Sequence, residues 1–165
     1  MKMLWALLFV WVVGSASHFF YGWSGENPLV GLLFASSESV WEHSKLGFWP
    51  LCLAILWLGK GAGANWATLA WAMACGTLFY LVHQIGAFYA YTSALGIKSC
   101  LPVDILIYLL ASAGGLWMGY RLLSQPRPLW QGALGVGILC FLALSLVVFT
   151  RESPALPLFW DPAKK

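Results

Sequence analysis

Charge is the scarcest property of this 165-residue chain, with Asp, Glu, Lys and Arg together making up 9% of it. Set against 61% hydrophobic residues and a mean hydropathy of +0.77, so little charge excludes an ordinary soluble domain. A soluble chain of this size cannot bury so much apolar surface, whereas lipid can solvate it. The formal net charge of +3 is spread thinly with no basic block, which argues against a nucleic-acid partner. Cysteine is sparse as well. Of Cys52, Cys75, Cys100 and Cys140, three lie inside apolar runs, where they read as small packing residues, and only Cys100 falls in a loop. That leaves no basis for a structural disulfide, and without a CxxC pair there is no thiolate metal site. No HExxH occurs either, so no local spacing marks a metallohydrolase.

What the chain does have is aromatic and apolar. Eleven tryptophans and six tyrosines suit a protein with two water–lipid interfaces. A bilayer core takes about 20 apolar residues at about 1.5 Å rise each. On that scale the sequence reads as a single all-α membrane domain, a helical bundle with five spans at 3–23, 37–58, 66–95, 102–123 and 129–150, followed by a tail at 151–165. Ser24-Gly25-Glu26-Asn27-Pro28, Gly59-Lys60-Gly61-Ala62-Gly63 and Ser124-Gln125-Pro126-Arg127-Pro128 are turn signals between them. Ser36 or Ser37 is a plausible N-cap for the second span, and Pro50 predicts a kink within it. Ala111, Gly115 and Gly119 form a ridge of small residues on which another helix can pack. A rival reading of the N-terminus is a secretory signal, cleaved after Ser17 to leave His18 first. Apolar character continuing through Phe20, Tyr21 and Trp23 favours a span.

Five spans place the termini on opposite sides. Lys2, Lys60, Arg121 and Arg127 then share the N-terminal side with no acid, and all six acids fall on the other. By the positive-inside rule the N-terminus is cytoplasmic, the acidic face is outside, and the setting is the inner (cytoplasmic) membrane. The outer face gathers His18, Glu38, Glu42, His43, His83 and Asp104 within about two helical turns of depth, ~10 Å. Ionisable residues at membrane depth are expensive, so a shared layer of them points to function. Glu38, Glu42 and Lys45 share a helical face and can form a self-neutralising ladder, while His43 lies on another face with Ser39, Gly47 and Pro50. The chemistry expected is a divalent metal centre, such as zinc, with His18, His43, His83 and Asp104 as ligands. Glu42 or Glu38 would be general base toward a lipid-like substrate. A proton- or cation-coupled transporter or channel is the alternative, although polar residues leading to the cytoplasmic side are few. A third reading is a non-catalytic membrane partner or assembly protein docking through residues 36–46 and the tail.

Glu38-Ser39-Val40-Trp41-Glu42-His43, with Lys45-Leu46 after it and an Asn27-Pro28 turn before it, resembles a family of small multi-pass bacterial and archaeal membrane proteins. Leu158-Phe159-Trp160-Asp161-Pro162 is similar to the C-terminal pattern of that family, which is known only as a domain of unknown function. The resemblance implies a helical membrane fold and no activity. In layout alone, histidines and acids at one membrane face resemble seven-helix ceramidase-like intramembrane hydrolases.

Overall fold

Local capping signals cut the apolar sequence into its helices. In the computed structural model, which describes residues 1–161, these are α1 (Lys2–Ser17), α2 (Phe20–Trp23), α3 (Pro28–Leu33), α4 (Val40–Gly61), α5 (Trp66–Leu95), α6 (Leu101–Leu123) and α7 (Leu129–Arg151). A 3-10 turn at Pro157–Phe159 follows, and among the described residues there is no strand. Asn27, Ser39 and Asn65 open α3, α4 and α5 by accepting hydrogen bonds from the backbone N–H of Leu29 (2.9 Å), Glu42 (3.2 Å) and Thr68 (2.9 Å). Gly96 ends α5 at φ 64°, the left-handed conformation that glycine adopts without strain.

Among the described residues, α5, α6 and α7 are long and apolar enough to cross a membrane. α1 is shorter, at 16 residues, and the 22-residue α4 carries Glu42, Lys45 and Lys60. The apolar run expected as one segment over 3–23 is divided: α1 stops at Ser17, and the chain turns at His18 before the single turn of α2. α4 starts later than the serine pattern suggests. Its N-cap is Ser39, not Ser36 or Ser37, and it continues as one helix through the buried Pro50.

α5 is the central helix, packed against α4, α6 and α7, while α1 lies against α4 and α6. The small residues foreseen on α6 meet α5 backbone to backbone, since a Cβ on Gly115 would lie 2.6 Å from the Gly76 carbonyl oxygen. Where lipid removes the hydrophobic drive between helices, such close approach supplies the dispersion contacts that hold them. Gly47 on α4 serves the same end with α5: the Tyr80 ring occupies the space a side chain there would need. Below this level Leu51, Ile55, Leu58 and Leu116 form a buried apolar core. Large apolar residues such as Trp57, Val82, Leu110, Phe141 and Leu144 stand exposed around the outside.

One end of the bundle carries the N-terminus with two turns. Lys2 Nζ lies near Gly61, and Thr68 Oγ1 accepts from the Arg127 N–H at 3.0 Å. The opposite end carries the α1–α4 connection, the α5–α6 turn and residues 152–161. Phe159 packs on Trp41 and Phe149 with ring centroids 5.3 Å away in each case, and Trp160 is exposed.

Candidate metal centre

Two helix ends and one loop build the site. His18 terminates α1, where Ser17 Oγ donates to the Gly14 carbonyl at 2.7 Å. His43 sits in the first turns of α4 with Nδ1 2.9 Å from the Ser39 carbonyl oxygen. A carbonyl can only accept, so Nδ1 carries the proton, and the neutral ring presents a lone pair at Nε2. That Nε2 lies 3.2 Å from His18 Nε2. Glu38 sits in the loop just before the cap, its Oε2 3.5 Å from His43 Nε2 and 3.6 Å from His18 Nε2. All three atoms fall within 4.8 Å of one another. Two atoms bound to one tetrahedral ion at about 2.0–2.1 Å stand about 3.3 Å apart, so the spacing suits a shared cation. With no cation, one of the two Nε2 atoms must carry a proton, because two facing lone pairs repel. The imidazoles are partly shielded, at 29% and 28% exposure, and Glu38 is half exposed.

Glu42 does not join this group. It is buried, and its Oε2 accepts from Lys45 Nζ, the Ser36 N–H and the Ser36 hydroxyl, each at 2.8 Å. Its Oε1 lies 2.8 Å from the Thr150 hydroxyl, whose single proton it shares with the Leu146 carbonyl, also at 2.8 Å. Lys45, also buried, donates further to the Gly31 carbonyl at 2.8 Å and to Thr150. The three-residue ladder is therefore split: Glu42 and Lys45 pair inside the bundle, and Glu38, off the helix, turns to the histidines.

His83 and Asp104 also lie outside the group. His83 is exposed on α5, with Nδ1 donating to the Phe79 carbonyl at 2.7 Å and its ring stacked 3.8 Å from that of Phe79. Asp104 opens α6 and accepts from the Tyr91 hydroxyl at 2.5 Å, while Tyr91 Oη accepts from the Cys100 N–H at 2.9 Å. This clasp closes the α5–α6 turn. Shared depth along parallel helices leaves the direction around each helix open, and direction separates these two residues from the others. Sequence reasoning missed Ser36 and Thr150. The serines preceding the α4 cap hinted at the first, but nothing local marks Thr150, which is 108 residues from Glu42.

Two clefts flank the site. The smaller, about 390 Å³, is lined by His18, Glu38, Phe19 and Trp23. The larger, about 720 Å³, is lined by Glu42, Thr150, Arg151 and Trp160. Tyr21, Ser36 and Ser37 form a wall common to both. The volumes are within the ordinary range for small-ligand sites, about 300–1,000 Å³.

No curated protein matches the chain, and no solved structure does. The pattern that defines a family of unknown function, DUF6512, matches residues 2–164. Its reach over nearly the whole chain assigns the protein: it belongs to the DUF6512 family.

Proposed function

We propose that this protein holds a divalent cation, zinc in the first instance, between His18, His43 and Glu38, and uses it to hydrolyse a lipid-like substrate at the membrane. The observation that carries this reading is the 3.2 Å approach of two Nε2 atoms with a carboxylate oxygen at 3.5 and 3.6 Å. Two imidazoles and a carboxylate leave a fourth tetrahedral position for water, which zinc acidifies to a pKa of about 7. The protonated Nδ1 of His43 on the Ser39 carbonyl is the outer-sphere bond that orients a ligating imidazole. An amphiphilic substrate is favoured by Phe19 and Trp23, which line the smaller cleft beside His18 and are exposed. The apolar core of Leu51, Ile55 and Leu116 beneath the site supports a pocket closed from below over a continuous polar route, and so favours hydrolysis over transport.

In this reading α1 and α4 cross the membrane with α5, α6 and α7, making five crossings in the inner membrane. The end bearing Lys2, Lys60, Arg121 and Arg127 faces the cytoplasm. Metal analysis of the purified protein is the test. About one equivalent of divalent metal in wild type, lost in His43→Ala, is the expected result. A metal-free wild type that also fails to take up added zinc overturns the reading.

A further inference from the structure

Two of the three ligands in the proposed centre stand on helices, and the third does not. Glu38 belongs to a loop, and a half-exposed loop carboxylate is a weak ligand unless something holds its backbone. We propose that Glu42, locked by Thr150, is that holder: it is the positioning residue that sets the Glu38 carboxylate beside the two imidazoles. The inference rests on the metal reading and adds residues to it that touch no metal.

Glu42 grips the loop at both ends. Its Oε2 takes the N–H and the hydroxyl of Ser36 at 2.8 Å each, on the near side of Glu38. Its own backbone N–H donates to Ser39 Oγ at 3.2 Å, on the far side. Ser37 and Ser39 are joined across the gap, with Oγ atoms 3.3 Å apart and the Ser39 N–H 3.4 Å from Ser37 Oγ. Glu38 thus projects from a four-residue segment pinned at each terminus to one side chain and its own amide. Ser39 also accepts the His43 Nδ1 proton through its carbonyl, so the same segment orients the second imidazole.

The carboxylate that does the gripping is itself fixed from α7. Thr150 Oγ1 lies 2.8 Å from Glu42 Oε1 and accepts from Lys45, which also donates to Glu42 Oε2 at 2.8 Å. Mutual neutralisation accounts for Lys45 and Glu42 being buried together. It does not account for Ser36 donating twice to the same oxygen, which is the feature that ties the ion pair to the loop. Outer-sphere partners of this kind are worth about 10–100-fold in metal affinity.

The test uses the full chain in detergent micelles, with zinc binding measured by competition against a chelating dye and amide hydrogen exchange measured over residues 35–39. Thr150→Val and Ser36→Ala are expected to weaken zinc binding about 10–100-fold and to speed exchange in the loop. Thr150→Ser, which keeps the hydroxyl, is expected to restore both. Zinc binding and loop exchange unchanged in Thr150→Val and Ser36→Ala, with wild type binding zinc, overturn the positioning role and leave the metal reading standing. If Thr150→Val fails to fold, Ser36→Ala alone decides, because it deletes one partly exposed hydroxyl. A wild type that binds no zinc overturns both.

Discussion

His43 shows how much one hydrogen bond decides. The Ser39 carbonyl fixes the proton on Nδ1 and so turns the Nε2 lone pair toward His18. His18→Ala is therefore expected to lose the metal, whereas His83→Ala and Asp104→Asn are expected to keep it, since those side chains engage Phe79 and Tyr91. Elemental analysis of the purified variants reads this directly. The sign of the pH dependence follows as well. Imidazole must be neutral to ligate, so acidification releases metal and alkalinisation restores it, as zinc titrations at stepped pH should record. Lys45 makes a different prediction. Removing its ammonium in Lys45→Met leaves the Glu42 carboxylate buried and uncompensated, at a cost of about 3–5 kcal/mol. Lys45→Met combined with Glu42→Gln should recover most of that loss in equilibrium unfolding, as a double-mutant cycle would show.

At the scale of the element, close helix contacts make the framework, and glycines make the contacts. Gly115 and Gly76 are backbone to backbone, so Gly115→Val must push α5 and α6 apart and is expected to lower stability by about 1–3 kcal/mol. Gly86 faces open space, and Gly86→Val should change stability little; thermal unfolding in one detergent compares the two. The run Gly86, Ala90, Ala94 looks like a packing ridge in sequence just as Ala111, Gly115, Gly119 does. Only the second has a helix against it. Spacing alone identifies a smooth face and says nothing about whether a neighbour occupies it. The loop before α4 carries the same lesson. Glu38, Glu42 and Lys45 align on an ideal helix, but Ser39 caps the helix after Glu38 and releases that residue in a new direction.

For the molecule as a whole, the distribution of charge and the grouping of chain ends agree. Lys2 lies near Gly61 at one end, and His18, Glu38 and His43 meet at the other. Single cysteines at Ala62 and Asn27, in a chain stripped of its own four, are expected to label from opposite faces of sealed membranes. Labelling of both from one face would contradict the five-crossing arrangement.

The sequence by itself determined that this chain is helical and apolar, because backbone within continuous apolar runs of about 20 residues satisfies its own hydrogen bonds as helix, whereas barrel strands are shorter and alternate. Local chemistry also suggested where a helix would start, although the cap expected at Ser36 or Ser37 lies at Ser39. The gathering of ionisable residues toward one end was likewise legible, because depth follows from counting residues along a helix. Tertiary structure decided which of those residues meet. His18 and His43 converge and His83 does not, because the rotation of each helix is set by side chains packed from distant parts of the chain. Tyr80 against Gly47 and Thr150 against Glu42 are two such contacts, and no local pattern encodes either.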